Sequence, residues 1–361
     1  MKLLQIIFCV LCGALAATAQ QAQTVDGLPS HKPVALSISA KPTDRPVRNV
    51  IFMIGDGMGA EHVWAAWLCN RGALNITQLP YTALSCTVAA NRTVTDSAAG
   101  GTALACGGKT NNGMLGQRPN GEPMESLAEI CRRRGMATGL VVTKAITDAT
   151  PAAFYAHTAS RKNTAAIAQA LADAHFDVVL GGGAAAFTPD QLAQMRARGA
   201  DVELFAPGDC PPASKRGNLL CKNVQRALGR LQSAPGGFFL MIEGSSIDMA
   251  AHGGNLRETV LEVLDFDSAV GVVLRWMANN PDTLLVVTAD HQTGGLSILD
   301  GNAQKGRVTG VFTTDGHSGL VVPVYAAGAG AARFHGVLQN TQVAHIIKES
   351  VLFQPAVNPA N

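Results

Sequence analysis

The chain has 361 residues, of which 47% are hydrophobic and 15% are charged, and its formal net charge is +2. This length and apolar content are sufficient for a large core, and one sizeable α/β domain would account for them. The charge is close to zero and the sequence has no basic run, which argues against binding to nucleic acid or to an anionic membrane surface.

The first residues have the pattern of a secretory signal peptide. Lys2 precedes the apolar run LLQIIFCVLCGALA, and the small residues ATA follow at positions 17–19. This run is too short to favour a membrane-spanning helix. We therefore predict a signal peptide over residues 1–19, a periplasmic or secreted chain, and no membrane span. Residues 20–46 are polar with scattered prolines, and we interpret them as an N-terminal tail or edge segment before a single domain over residues 47–355.

Six of the eight cysteines remain once the predicted signal peptide is removed. An exported chain meets an oxidising compartment, in which disulfides can form. Cys210 and Cys221 bracket the loop PPASKRGNLL, and we expect this pair to form a disulfide. Because connectivity cannot be read from a sequence, free buried thiols are an equal expectation for the other cysteines, which are Cys69, Cys86, Cys106 and Cys131.

From residue 47 onward, short apolar runs alternate with helical patterns. The apolar runs predict strands that are buried on both faces, over residues 49–54, 137–143, 176–181, 237–243 and 282–289. Helices are predicted over residues 124–135, 163–175 and 257–280. This alternation predicts an α/β fold, in which a mostly parallel sheet carries helices on both faces. Residues 184–235 are the least patterned stretch, and we expect a peripheral insertion there.

Acidic residues and histidines follow several of these strands, at the position where open parallel sheets bind ligands. They are Asp56 in GDGMG, Asp148, Thr150 and Arg161 in DATPAAFYAHTASRK, Glu243, Asp248 and His252 in EGSSIDMAAHGG, Asp290 and His291 in DHQTGG, and His317 in GHSG. Each segment alone has an ordinary structural interpretation, such as a turn aspartate, a surface ion pair or a histidine with satisfied hydrogen bonds. Together they would bury several carboxylates at one sheet edge, which is costly without cations.

The types of these side chains indicate a centre with several metal ions. Histidine combined with aspartate suits zinc, and Asp248 and His252 are four residues apart, on one face of a helical turn. A carboxylate–hydroxyl set such as Asp56, Thr150 and Glu243 suits magnesium. Paired zinc ions about 3.5–4 Å apart can hold the attacking and leaving oxygens of a phosphoryl transfer.

The segment TVTDSAAGGTALACGG, over residues 93–108, places Asp96 and Ser97 before a run of small residues. If Ser97 begins a helix, free backbone N–H groups point at an incoming anion, and the small residues allow a close approach. A metal cation can turn the hydroxyl of Ser97 into a nucleophile. Arg161 offers a planar fork to two phosphate oxygens, and Asp96 is placed to hold that arginine.

These segments and their order resemble the signature segments of bacterial-type alkaline phosphatases, which are metal-dependent phosphomonoesterases. The similar segments extend over residues 50–328, most of the chain. The resemblance implies a three-layer α/β/α sandwich and the hydrolysis of phosphate monoesters to an alcohol and inorganic phosphate through a phosphoserine. It also implies two Zn²⁺ and one Mg²⁺, small-molecule substrates and a possible homodimer.

The resemblance also implies a role for each residue. It implies that Ser97 is the nucleophile and that Arg161 binds the phosphate, with Asp96 beside it. It implies one zinc ion on Asp248, His252 and His317, and a second zinc ion on Asp56, Asp290, His291 and the Ser97 oxygen. It implies a magnesium ion on Asp56, Thr150 and Glu243, with Asp148 just outside its direct ligands. Met249 is a departure, because well-known members carry a lysine or histidine at that position, near the phosphate.

Two alternatives to a phosphomonoesterase remain. The first is another reaction on the same metal scaffold, such as that of a phosphodiesterase or a sulfatase. No cysteine lies in a C-x-P-x-R context, as a sulfatase would need, and Asp96, Ser97 and Arg161 favour a terminal dianionic phosphate over a diester. The second is a non-enzymatic protein that binds metal or phosphate, which would need neither Ser97 nor Arg161.

Overall fold

The computed structural model describes residues 21–36 and 45–352, so the predicted signal peptide over residues 1–19 lies outside the described residues. The strands are β1 (Gln23–Val25), β2 (Asn49–Gly55), β3 (Tyr81–Cys86), β4 (Ala137–Ala145), β5 (Val178–Gly182), β6 (Asp201–Leu204), β7 (Phe238–Gly244), β8 (Thr283–Thr288), β9 (Gln292–Thr293), β10 (Ser297–Asn302), β11 (Arg307–Val311), β12 (His317–Ser318), β13 (Val322–Gly328) and β14 (Gly336–Gln339). The α-helices are α1 (Ala60–Cys69), α2 (Ser97–Cys106), α3 (Leu127–Arg133), α4 (Ala149–Ala152), α5 (Thr164–Asp173), α6 (Pro189–Ala197), α7 (Ala213–Arg216), α8 (Leu219–Leu231), α9 (Ser246–His252), α10 (Leu256–Met277) and α11 (Asn340–Leu352).

A nine-stranded sheet in the order β14-β3-β13-β8-β2-β7-β4-β5-β6 forms the centre of the fold. Strand β13 is antiparallel to its neighbours β3 and β8, and the other adjacent pairs of this sheet are parallel. Two small sheets, β1-β11-β10 and β12-β9, lie beside it. The prediction of a mostly parallel sheet is therefore confirmed.

The sheet separates two hydrophobic cores, and strand β2 contributes to both. Ile51 and Met53 point into one core, together with α1, α8 and α10. Val50, Phe52 and Ile54 point into the other core, together with α2, α3, α5 and α11. Full burial of one such side chain contributes about 1.5–3 kcal/mol, which explains the unbroken apolar sequence of this strand. The three-layer α/β/α arrangement is confirmed.

The predicted elements correspond to observed ones with small shifts at their ends. The five predicted strands are β2, β4, β5, β7 and β8, and the three predicted helices are α3, α5 and α10. Helix α3 begins after Ser126, whose hydroxyl accepts a hydrogen bond from Glu129 N while Glu129 caps the Ser126 backbone. Helix α5 begins after Asn163, whose side chain accepts a hydrogen bond from Ala166 N.

The expectation of a peripheral insertion over residues 184–235 was wrong. This stretch contains β6, the last strand at one edge of the sheet, and α8, which packs into the core beside β4 and β5. The buried face of α8 has helical spacing, with Leu220, Val224, Leu228 and Leu231. The short length of β6 concealed that strand, whereas the one-sided apolar pattern of α8 was available in the sequence.

The expected disulfide between Cys210 and Cys221 is not formed, because both side chains are free thiols. The chain between them folds as α7, and Arg216 at its end is buried against two carboxylates of α10, those of Glu262 and Asp265. An ion-pair cluster therefore holds this loop in place of a covalent bond. Burial raises the pKa of the Cys221 thiol to about 11, which disfavours the thiolate needed for oxidation.

Residues 21–36 pack against the domain rather than leaving it as a free tail. β1 pairs antiparallel with β11. His31 Nε2 lies 2.6 Å from the buried Oδ2 of Asp267 in α10, and the His31 backbone N–H donates to Asn70 Oδ1 at 2.8 Å. Across the described ranges, no helix is long and apolar enough to cross a membrane.

Candidate metal centre and active site

The candidate site lies where neighbouring strands of the sheet end. Strands β8, β2, β7 and β4 are adjacent and parallel, so their carboxyl ends share one edge. The register pairs Ile54 of β2 with Glu243 of β7 and with Thr288 of β8. Asp56 and Asp290 each follow two residues after a paired position, and the register therefore brings them to the same edge as Glu243.

Asp248, His252 and His317 form the first cluster, in which all ligand atoms lie within 4.8 Å of one another. Asp248 Oδ1 is 3.3 Å from His252 Nε2 and 3.5 Å from His317 Nε2. The Nδ1 atoms of the two histidines contact backbone carbonyls, that of Asp315 at 2.5 Å and that of Thr95 at 2.8 Å. Because a carbonyl only accepts, each Nδ1 donates, and in the neutral ring each Nε2 presents its lone pair to the cluster.

The two Nε2 atoms of this first cluster face each other at 3.1 Å. Two lone pairs at that distance repel each other unless a proton or a metal cation lies between them. In the absence of a metal, protonated His252 and His317 donate from Nε2 to Asp248, and these hydrogen bonds outweigh burial and lower the pKa of Asp248 well below its usual range. One carboxylate and two imidazole nitrogens facing a common point make a ligand set that suits zinc.

Asp56, Asp290 and His291 form the second cluster, which is buried and has its ligand atoms within 4.8 Å of one another. His291 Nε2 lies 3.4 Å from Asp56 Oδ1, 3.2 Å from Asp290 Oδ2 and 3.1 Å from Ser97 Oγ. The rings of His291 and His317 stack with centroids 3.6 Å apart, so the two clusters are adjacent. Burial raises the pKa of Asp290 to about 6 and lowers that of His291 well below its ordinary value.

The residues predicted for magnesium, Asp56, Thr150 and Glu243, lie at the same edge. Both carboxylate oxygens of Glu243 and Oδ1 of Asp56 are buried, and no described residue hydrogen-bonds to them. Thr150 Oγ1 lies 3.5 Å from Asp290 Oδ2. Burial raises the pKa of Glu243 and of Asp56 well above their ordinary values. Buried carboxylate oxygens that lack a donor fit a hard cation such as Mg²⁺.

Ser97 is the first residue of α2, as the sequence indicated, and it is buried. Asp96 caps the helix by accepting from Ala99 N at 2.9 Å, and its second oxygen accepts from Gly113 N at 2.9 Å. These bonds fix the helix start at the second cluster, with the remaining N–H groups of the first turn free for an anion.

The small residues of α2 allow the helix to approach both sides of the site. A Cβ atom on Gly100 would lie 2.8 Å from the backbone oxygen of Asp290. A Cβ atom on Gly101 would lie 3.2 Å from the Cα of Thr150. The glycines are therefore required by close packing of the helix against two segments that carry proposed ligands.

Arg161 lies between two carboxylates. Its NH1 is 3.4 Å from Asp96 Oδ2 and its NH2 is 3.1 Å from Asp148 Oδ1, so Asp96 holds the arginine as the sequence indicated. The other oxygen of Asp148 makes an ion pair with Lys144 Nζ. Both oxygens of Asp148 are thus bound by protein cations, a placement in line with its expected position outside the direct magnesium ligands.

Two residues of the site were missed in the sequence. Lys144 lies four residues before Asp148, at the end of β4, and that spacing was the available signal. Thr293, within the DHQTGG segment, contacts Asp248 Oδ1 at 2.5 Å and His291 Nδ1 at 3.2 Å through its hydroxyl. Thr293 therefore connects the first cluster to the second.

A cleft of about 530 Å³ opens next to these groups. Asp96 and His317 form the wall that it shares with the metal centre, and Arg92, Val94 and Asn112 are part of its outer wall. Val94 is exposed, and Asn112 holds the backbone around it by donating to Val94 O at 3.0 Å. The cleft therefore reaches Asp96, the residue before Ser97.

Comparison with known proteins identifies relatives that this chain matches over most of its own length and most of theirs. The family model for alkaline phosphatase matches residues 47–203 and 200–308. Alkaline phosphatase 4 of Bacillus subtilis is 31% identical, over 86% of this chain and 90% of its own. Streptomycin-6-phosphate phosphatase of Streptomyces griseus is 32% identical, over 86% of this chain and 92% of its own.

Solved structures show the same similarity. The alkaline phosphatase from the Antarctic bacterium TAB5 has a TM-score of 0.80 and 30% identity, covering 87% of this chain and 100% of that chain. A variant of the TAB5 enzyme, with the same TM-score, has Mg bound in its M3 site.

Proposed function

The chain belongs to the alkaline phosphatase family of phosphoric monoester hydrolases, and we propose that it is an exported enzyme that uses Ser97 as nucleophile and forms a phosphoserine. One observation carries this proposal: Ser97 Oγ lies 3.1 Å from His291 Nε2, at the start of a helix and inside a buried cluster of metal-type ligands. Arg161 contacts Asp96, the residue before Ser97, so a guanidinium lies close to the start of the same helix, as transfer of a dianionic phosphoryl group requires.

We assign the residues of the site to two zinc ions and one magnesium ion. Asp248, His252 and His317 would hold one zinc, the Asp56, Asp290 and His291 cluster with the Ser97 oxygen would hold the other, and the Asp56, Thr150 and Glu243 set would hold magnesium. The donor chemistry supports this, because the orphaned oxygens of Glu243 and Asp56 and the facing Nε2 atoms each call for a cation. When bound, such cations lower the pKa of a coordinated hydroxyl and stabilise negative charge on phosphoryl oxygens.

The protein's own groups bind and orient the substrate. Arg161 keeps N–H donors free beyond those on Asp96 and Asp148, and a planar guanidinium binds two phosphate oxygens. The Ser97 Oγ–phosphorus bond forms as the bond from phosphorus to the alcohol oxygen breaks, and the alcohol leaves with a proton. Water then cleaves the Oγ–phosphorus bond and releases inorganic phosphate.

The test compares hydrolysis of p-nitrophenyl phosphate with hydrolysis of its bis-ester. The protein is stripped with chelator and reloaded with zinc and magnesium, and Ser97→Ala is compared with Ser233→Ala, whose serine is exposed just after the end of α8. We expect metal-restored turnover of the monoester that is lost in Ser97→Ala and retained in Ser233→Ala. Preferred turnover of the bis-ester would assign the chain to phosphodiester chemistry, and bound zinc without turnover would contradict an enzymatic role.

Two further measurements test the finer parts of the proposal. Phosphate trapped on the protein by acid quench should map to the peptide that contains Ser97. Export predicts that the mature chain from the periplasm or medium begins at residue 20, and N-terminal sequencing that finds Met1 would contradict it.

A further inference from the structure

We propose that Lys144 is a positioning residue, which fixes Asp148 so that Asp148 holds Arg161 in the orientation that binds phosphate. The inference extends the proposed phosphatase function and rests on it. It assigns a role to a lysine that the family resemblance does not account for.

The geometry of the three side chains is a continuous chain of charged contacts. Lys144 Nζ pairs with Asp148 Oδ2, and Asp148 Oδ1 lies 3.1 Å from Arg161 NH2. Oδ1 also accepts from Ala149 N at 2.8 Å, which caps α4. The carboxylate plane of Asp148 is therefore fixed on both sides, by the lysine on one oxygen and by arginine and backbone on the other.

Lys144 is enclosed at the end of β4, so its side chain has few other conformations available. Its side chain is only 11% exposed, and that of Asp148 is 21% exposed. The backbone on either side is also fixed, since Ala145 N donates to Asp209 Oδ1 at 2.9 Å. A lysine held this way loses little further entropy when it holds its partner, in contrast to a surface ion pair.

Charge explains why a cation is needed at this point. Asp148 lies among the acidic groups of the site, and its negative charge and that of Glu243 repel. Burial would raise the pKa of Asp148, but Lys144 and Arg161 outweigh burial and keep that pKa below its ordinary value. Without the lysine, the repulsion would turn the Asp148 carboxylate away from its present position, and the contact with Arg161 would weaken.

Arg161 depends on this contact because, among the described residues, two carboxylates anchor it. Asp96 binds NH1 and Asp148 binds NH2, which orients the remaining N–H donors of the guanidinium. Met249, the residue after Asp248, is 52% exposed and has no charge, so it cannot take this role. If the contact with one of these carboxylates is lost, the guanidinium can rotate. Phosphate binding then has to fix the orientation of the guanidinium.

The experiment measures phosphate binding and turnover in Lys144→Met, with Lys162→Met as the matched control. Lys162 is exposed and adjacent to Arg161 in sequence, and its side chain forms no hydrogen bond or ion pair with the described residues. On zinc- and magnesium-loaded protein, we expect Lys144→Met to raise both the KM and the calorimetric Kd for inorganic phosphate about tenfold while kcat is maintained. Metal content should stay at the wild-type level, Lys144→Arg should restore most of the affinity, and Lys162→Met should change nothing.

Several outcomes would overturn the proposal. An unchanged phosphate Kd, or a loss of magnesium together with kcat, would show that Lys144 does not act through Arg161. A double-mutant cycle with Asp148→Asn gives a second test, because Lys144→Met should add little in that background, and additive effects would contradict the chain of contacts. If wild-type protein hydrolyses no monoester, the proposed function fails, whereas the phosphate Kd values still decide the role of Lys144.

Discussion

Gly100 lies at the closest approach between α2 and the loop after β8, and alanine at this position should disturb both. The added Cβ atom would stand 2.8 Å from the backbone oxygen of Asp290 and 3.2 Å from its Cβ. Backbone cannot rotate away as a flexible side chain can. The helix or the loop must therefore move by about 0.6 Å to reach an ordinary contact of 3.4 Å.

The size of the effect follows from two opposing contributions. Overpacking of this kind costs about 1–3 kcal/mol, whereas alanine in a helix interior is better than glycine by about 0.5–1 kcal/mol. We expect Gly100→Ala to lower the free energy of unfolding by about 1–2 kcal/mol. Activity should suffer more, because Ser97 moves with the helix or Asp290 with the loop, and a 1 Å misplacement can cost about 100-fold. We expect kcat/KM to fall at least about tenfold.

Gly229→Ala provides the control for this prediction. Gly229 is also a helical glycine, in α8, but nothing lies within 4 Å of its added Cβ. This variant should gain about 0.5–1 kcal/mol and keep its kcat/KM. Urea unfolding and initial rates with p-nitrophenyl phosphate measure both quantities. If Gly100→Ala matches Gly229→Ala in stability and rate, contact with Asp290 is not the reason for the glycine, and the argument is refuted.

Three further predictions concern charge and thiols. Arg216→Ala leaves two buried carboxylates unpaired and should lower the free energy of unfolding by about 3–5 kcal/mol in a urea titration. Arg226→Ala removes exposed ion pairs and should lower the free energy of unfolding by less than about 1 kcal/mol in the same titration. Burial raises the pKa of Asp290 from 3.8 to about 6, so the Asp290 carboxyl binds its proton more tightly in metal-free folded protein than in the unfolded chain. The folded protein therefore loses stability as the pH rises between these two pKa values. Asp290→Asn should therefore gain stability relative to wild type between about pH 4 and 6, and a flat difference would contradict the assignment. Cys210 and Cys221 should each be alkylated in denatured, unreduced protein, and a cross-linked peptide in the mass spectrum would show this wrong.

The sequence predicted the central part of the fold because burial on both faces leaves an unbroken apolar run. This holds for β2, β7 and β8, whose residues are all buried. β6 and β14 lie at the two edges of the sheet and are partly or mostly exposed, so their sequences carry no such run. Helix α8 is different, because its one-sided apolar pattern is the usual signal of a helix and was available in the sequence.

The candidate site was predictable where each residue follows directly from a strand end. Asp56, Glu243 and Asp290 are of this kind, since parallel strands in register place their ends together. Lys144 and Thr293 lie at the ends of β4 and β9, and a single lysine or threonine at such a position is too common to indicate a site. Their roles follow from contacts that only the folded chain makes.

The acidic groups at this sheet edge divide into two kinds, according to what balances their charge. Asp96 and Asp148 are already paired with Arg161 and Lys144, so the arm that would bind phosphate is assembled by the protein alone. No ion pair of the described residues includes Glu243, and the charge of Lys144 acts on it without such a pair. The proposed metals would therefore be needed at the strand ends, whereas the pairs that hold Arg161, the proposed phosphate ligand, form without a metal.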